Sequence, residues 1–327
     1  MLVESLMRLM EDGEYASCIR LAEMQLLQGG FTLSELAKVN LVVCRSRLGL
    51  QDAQGAIPPG LLAIKLARDT GEWDVLGRAL LNVGTAFISI RQYSQALHHL
   101  YSYFEHRHRY ASSARFEGAV WRHIAVAHQR KLESSQAVDA FQRACSWYAR
   151  HGMDHSLFNC THDLIATYLQ QSEQGSKDWL EPVKELLQRQ RQIARKYPTE
   201  TYYQGVYMWE LAARYRQEGR YRRAMVGALK AMEIHKNDPE LAFHCHMLLH
   251  ECSKVLGDGK QALGYALAAR VEAVRARHYE LEFLASQAMA EVIRQKGSRV
   301  VQELDDEYQQ LGIDLRQYLS PSLLRRN

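Results

Sequence analysis

WRHIAVAHQRKLESSQAVDAFQRAC, residues 121–145, holds two apolar frames joined by a polar turn. Trp121, Ile124, Ala125 and His128 recur at the three- and four-residue spacing of one helix face, and Ala137, Phe141 and Ala144 do so again after Lys131–Ser135. A small residue of the first frame, Ala125, lies twelve positions before a small residue of the second, Ala137. The same offset returns from Gly84 to Ala96, from Ala212 to Ala224 and from His250 to Ala262. Each recurrence is two helices long. A period near 40 residues of this kind belongs to a stacked array of helix pairs rather than to one closed globule.

The other units follow the same frame. Leu80, Val83, Gly84 and Phe87 lead to Tyr93, Ala96 and Leu100. Met208, Leu211, Ala212 and Tyr215 lead to Tyr221, Ala224, Ala228 and Ala231. Leu249 leads to Ala262, Ala266 and Ala269. Two antiparallel helices approach closely only where side chains are small, so Gly84, Ala125 and Ala212 are expected to meet small residues of the following helix. Trp121, Phe141, Phe87 and Tyr215 fill the remaining volume. Gly219 and Gly257 suit the left-handed turn that ends a helix.

This frame resembles the tetratricopeptide repeat, Trp-x2-Leu-Gly-x2-Tyr then Ala-x3-Phe, with Ile124, Ala125 and His128 as departures in the best-formed unit. The resemblance implies an all-α fold, a right-handed superhelical solenoid of about eight antiparallel helix pairs over residues 1–315, with a tail at 316–327. The clearest pairs are 78–104, 119–148, 206–234 and 244–272. Weaker pairs are expected at Leu6–Gln25 around the Gly13–Tyr15 turn, and at Leu33–Leu48 with Pro59–Thr70 across a loop at Gln51–Pro58. Others are expected at Leu157–Tyr168 with Trp179–Lys196 across a polar insert at Gln171–Asp178, and at Glu280–Lys296 with Ser298–Leu311. The alanine anchors stand 41 residues apart from 96 to 137 and 38 apart from 224 to 262. Repeats of that length are also similar to the repeat domains of the Rap/NprR/PlcR group of bacterial peptide-pheromone receptors. That group usually adds an N-terminal effector module, a helix-turn-helix or a three-helix bundle; with repeats beginning within the first dozen residues, no separate DNA-binding domain is expected.

Composition excludes several classes. A hydrophobic fraction of 47% with 24% charged residues is that of a soluble, well-packed chain. No window carries 18 uncharged apolar residues, so no transmembrane helix is expected, and the N-terminus lacks the basic start and apolar core of a signal peptide. The six cysteines are scattered through helical patterns, which reads as free thiols in a cytoplasmic protein.

In arrays of this kind the first helix of each pair lines the concave face. Residues on one stripe around each anchor are therefore candidate peptide contacts. They are Arg78, Asn82 and Thr85 in one unit, Arg122 and Gln129 in the next, and Asn159 and His162 in the fifth. Trp209 and Arg216 follow, and then His244, Met247, Glu251 and Lys254. Amide and guanidinium groups suit the backbone and carboxylates of an extended peptide, and Trp209 and Met247 suit apolar side chains. Six arginines lie between Arg91 and Arg130 against only Glu105 and Glu117, an excess equal to the chain's net charge of +4. Such a cluster prefers carboxylate or phosphate partners. The alternative is a merely solvated basic face. Nucleic acid is disfavoured, because the global charge is small and no binding motif is present.

Catalytic and metal chemistry finds little footing. His246 and His250 stand four apart, a spacing able to share a zinc ion, but His250 occupies a packing position and no Cys-x2-Cys accompanies it. Gly257–Lys260 lacks the remaining residues of a phosphate loop. No nucleophile–base set appears, so neither an enzyme nor a cofactor is expected. The resulting expectation is a binding module for a protein or extended peptide, as adaptor or scaffold. The alternative is a peptide-responsive regulator of a transcription factor or signalling protein. Leu281, Phe283, Leu284, Leu311, Ile313 and Leu315 in the last pair are expected to divide between sealing the end of the array and pairing with a second copy, so that this segment governs a monomer–dimer choice.

Overall fold

The protein was analysed as a computed structural model that describes residues 2–304 apart from 112, 174, 176, 177, 297–299 and 303. Among the described residues the chain forms fifteen α-helices and two short 3-10 turns, with no strand. It divides into two compact units, Met1–Thr167 and Tyr168–Asn327, and the division falls within one long helix.

The first unit contains α1 (Leu2–Glu11), α2 (Tyr15–Gln28), α3 (Leu33–Gly49), α4 (Ala53–Thr70), α5 (Trp73–Ser89), α6 (Tyr93–Glu105), α7 (Glu117–Arg130) and α8 (Ser134–Arg150), and most of α9 (Asp154–Glu173). Successive helices pack on one another, and each odd-numbered helix from α3 to α7 also touches the next odd-numbered one. That is the stacking of helix pairs. The frame residues make the core: Leu80, Val83, Leu100, Ile124, Phe141 and Leu164 are all buried. Burying a leucine or phenylalanine side chain of this kind stabilises by about 1.5–3 kcal/mol.

The second unit contains α10 (Leu180–Lys196), α11 (Thr201–Gln217), α12 (Tyr221–Ile234), α13 (Pro239–Val255), α14 (Gly259–Arg275) and α15 (Tyr279–Lys296). Val300 and Leu304 pack with Leu263, Leu267, Met289 and Val292 against the end of this unit. The residues of the expected last helix beyond Leu304, with Leu311, Ile313 and Leu315, lie outside the described residues.

The crossings follow the small-residue rule in different ways. A Cβ on Gly227 would stand 2.9 Å from Ala212 Cβ, so Ala212 does meet a small residue. At Gly84 the expectation needs correction: a Cβ there would stand 2.6 Å from Leu100 Cδ2, so a large side chain fills the space the glycine opens. His250, in place of a small anchor, is buried and its Nδ1 lies 2.9 Å from the Ala262 carbonyl, the other anchor of its pair.

Two boundaries also differ from expectation. The loop expected at Gln51–Pro58 is mostly helix, because Asp52 caps α4 by accepting from Gly55 N and the helix runs on through Pro58 and Pro59. Those prolines remove two backbone donors, but Ala53, Ala56, Gly60, Ala63 and Ile64 bury a continuous face that outweighs the loss. The insert expected from Gln171 begins later, since α9 continues to Glu173. Gly219 and Gly257 hold the left-handed turn as expected, at φ 75° and 84°. Gln51, Arg91, Leu132 and Arg277 adopt it too without being glycine.

Candidate functional site

The predicted stripe falls on the first helices, and several of its side chains are bonded from one first helix to the next. In the first unit, Arg122 Nε on α7 donates to Asp163 Oδ2 on α9 at 2.6 Å. Gln129 Nε2 donates to Thr167 Oγ1 at 2.9 Å along the same pair of helices. Burial works against the Arg122 charge, and Asp163 beside it more than offsets this, so the guanidinium is held above its ordinary pKa. Its Nη1 and Nη2 make no hydrogen bond among the described residues. His123, next along, is pushed down by burial, with Arg122 and Arg45 adding to the effect. A neutral imidazole therefore flanks the arginine.

The remaining first-unit candidates divide. Asn82 on α5 is half-buried and its amide makes no hydrogen bond among the described residues. Thr85 bonds back to the Leu81 carbonyl of its own helix at 2.9 Å. Asn159 Nδ2 lies 3.2 Å from His155 Nε2, and His162 is half-buried on the same helix. Arg78 stands apart, over the Phe116 ring at 5.4 Å, with Arg115 over that ring at 4.9 Å. Burial and then Arg115 lower the Arg78 pKa, with Asp74 opposing.

In the second unit the stripe is more fully self-bonded. Arg216 on α11 bonds Glu251 on α13, and its Nη2 donates to Glu173 of α9 at 2.7 Å. Burial opposes its charge, but Glu251 and Glu173 raise its pKa on balance. Lys254 Nζ on α13 donates to Glu291 on α15 at 2.6 Å, which holds the Glu291 carboxyl below its ordinary range. Trp209 and His244 face each other with ring centres 5.6 Å apart. Met247 is half-buried and packs against core residues rather than lying open.

Sequence reasoning missed Asp163, Thr167, Glu173 and Glu291. The signal was present: each lies 37 to 43 residues from its partner, one repeat along, and carries the complementary charge or hydrogen-bonding group. The arginine-rich segment between α6 and α7 also has a fold role. Arg109 lies over Trp73 at 4.4 Å, and Ala111 N donates to Asp74 Oδ1 at 3.0 Å, tying the connection to the start of α5.

Among the described residues no group of three or more His, Cys, Asp or Glu is placed to hold a metal ion. The six cysteines are free and buried. No described helix is long and apolar enough to cross a membrane.

No family model and no curated protein sequence matches the chain. Solved structures do. A Rap protein complexed with Competence and Sporulation Factor is 12% identical, with a TM-score of 0.59 over 97% of this chain and 91% of that one. The apo form of the quorum sensor NprR from B. thuringiensis is 12% identical, with a TM-score of 0.57 over 95% and 93%. Aspartyl phosphate phosphatase F from Bacillus subtilis is 12% identical, with a TM-score of 0.59 over 94% and 83%. The fold is a tetratricopeptide-like helical solenoid. At these identities the likeness establishes the fold, and it runs through nearly the full length of the Rap and NprR chains.

Proposed function

We propose that this chain is a non-catalytic binding module that takes an extended, carboxylate-bearing peptide on the first-helix face of Met1–Thr167. The observation that carries the reading is Arg122. Its Nε is fixed by Asp163 while its two terminal nitrogens remain open, the edge an arginine offers to a carboxylate in a paired hydrogen bond. Asn82, Asn159 and His162 supply amide and imidazole groups for a peptide backbone, and Arg78 with Arg115 supplies further positive charge. In the second unit Trp209 and His244 offer an aromatic contact, while Arg216, Glu251 and Lys254 brace the helices.

The test is selection from a random displayed heptapeptide library against the full chain, with Arg122→Gln as the counter-selection. Enriched peptides rich in Asp, Glu or a free C-terminus, lost on the variant, support the reading. No enrichment, or enrichment equal on both proteins, overturns it.

A second reading, a peptide-responsive regulator of a transcription factor or signalling protein, draws support from the likeness, over more than nine-tenths of each chain, to a Rap protein complexed with Competence and Sporulation Factor and to a quorum sensor. It predicts that a selected peptide changes the protein's hydrodynamic radius, whereas a scaffold would keep it. The phosphatase among the similar structures sets the test of the non-catalytic reading. Incubated with a protein that carries an aspartyl phosphate, this chain should release no phosphate catalytically, and multiple turnover would refute that.

We also propose a cytoplasmic location and a homodimer contact through the last helix pair, where Tyr279 and Phe283 are 84% and 62% exposed. Phe283→Glu should shift sedimentation toward monomer. An unchanged oligomeric state in that variant counts against the contact.

A further inference from the structure

The outward face of α12 carries a second, differently built surface. Its inward positions Ala224, Ala228 and Ala231 are fully buried, and Gly227 packs on Ala212. Tyr221, Met225, Met232 and Ile234 are half-buried beside these small residues, and the other large side chains of the helix lie on its outer side. Arg222, Val226, Leu229 and Glu233 stand there at spacings of four, three and four residues, all exposed, with Val226 at 54% and Leu229 at 47%. That spacing is the seam along which one helix packs on another. Arg223 and Lys230 flank the seam, each one residue beyond a seam position.

Glu233 sets one carboxylate against these three cations, so the outer face keeps a positive balance. Among the described residues no carboxylate pairs with Arg222, Arg223 or Lys230. Glu218, the acid nearest in the chain before them, is already taken by Arg214 at 3.1 Å and Arg220 at 3.2 Å. Arg222 and Arg223 sit in the first turn, which carries no acidic residue, so they oppose the helix macrodipole. Elsewhere the array pairs such charges locally: on α8, Arg143 bonds Asp139 at 2.9 Å, and on α14, Arg275 bonds Glu272 at 2.9 Å.

We propose that the outer face of α12 docks an acidic amphipathic helix of a partner protein, whose apolar stripe covers Val226 and Leu229 and whose carboxylates meet Arg222, Arg223 and Lys230. Interleaved apolar and cationic side chains favour a helix over nucleic acid, which would need the cations and, for single strands, exposed aromatic rings for base stacking. This surface lies on a second helix, apart from the first-helix stripe, and its use does not depend on the peptide reading. The two together would let one chain hold a peptide and a protein on different helix faces.

The test uses the full chain and two synthetic amphipathic helices with leucine at four-three spacing, one flanked by Glu and the other by Lys. Fluorescence anisotropy at low salt should show binding of the Glu-flanked helix and none of its Lys-flanked twin. The triple variant Arg222→Glu/Arg223→Glu/Lys230→Glu should reverse that preference. Val226→Ser/Leu229→Ser should weaken binding by roughly tenfold. These positions are exposed, and an unchanged helical circular dichroism spectrum confirms that each variant folds. Equal or absent binding of both twins overturns the proposal, as does an unaltered preference in the triple variant. A DNA duplex that binds as well, and does so undiminished in the serine variant, identifies an electrostatic nucleic-acid surface instead. Loss of a homodimer in the serine variant identifies a second copy as the occupant.

Discussion

The first-helix faces of the two units are built from the same residue types and arranged to opposite effect. On Met1–Thr167, among the described residues, Arg122 has one carboxylate partner and two open nitrogens, and Asn82 makes no hydrogen bond. On Tyr168–Asn327, Arg216 is held by two carboxylates from the helices on either side, and Lys254 by a third. An arginine already bonded on both sides offers less to a ligand than one fixed at a single nitrogen. A stripe of polar residues at repeat spacing thus keeps open donors in one place and is tied into struts in another, and the partner one repeat along decides which.

The packing beneath these faces differs as well, and the largest effects test that. Leu100 fills the space over Gly84 and is fully buried, so Leu100→Ala should cost about 2–5 kcal/mol in urea unfolding. Ala224 is fully buried on the helix whose Gly227 packs on Ala212 in the other unit, and Ala224→Leu should cost about 1–3 kcal/mol by overpacking. If Leu100→Ala proved mild and Ala224→Leu neutral, the two crossings would not be distinct.

Both units hold histidines that are buried or half-buried, and acid should weaken both. Burial lowers the pKa of His250 and His246 in the second unit and of His123 and His99 in the first, from an ordinary value of 6.5. A depressed folded pKa means that the unfolded chain binds more protons once pH falls below the ordinary value. The stability contribution is therefore full above about pH 6.5 and lost as pH drops through the folded pKa. The urea midpoint should fall between about pH 7 and pH 5, and less steeply in His250→Gln, which can still donate to the Ala262 carbonyl. An equal slope would exclude His250 as a contributor.

The struts predict a smaller effect. Arg216→Gln leaves Glu173 and Glu251 without their shared cation and should cost about 1 kcal/mol or less, diminishing with salt, because the pair is partly exposed. Arg122→Gln should cost less still. A larger loss from Arg122→Gln would reverse the assignment of strut and site.

Much of this architecture is legible in the chain. Anchors such as Ala125 with Ala137 and Ala212 with Ala224 mark the helix pairs, because close helix approach admits few side chains and so leaves a strong pattern. Helix limits are less legible where capping competes with breakers, as at Asp52 before Pro58 and Pro59. The stripe was legible as a set of positions but not as a set of bonds. Asp163 and Glu291 look like ordinary surface acids until Arg122 and Lys254 are brought beside them by stacking. The left-handed turns at Arg91 and Leu132 fall on residues that disfavour that conformation, so no glycine or asparagine marks them in the sequence.

The most direct test of the central claim is the affinity of a library-selected peptide for Arg122→Gln and for Arg216→Gln, measured side by side by fluorescence anisotropy. The account predicts a loss of roughly thirtyfold or more for Arg122→Gln, equivalent to about 2 kcal/mol, and no more than about threefold for Arg216→Gln. Equal losses, or a greater loss at Arg216, would contradict it.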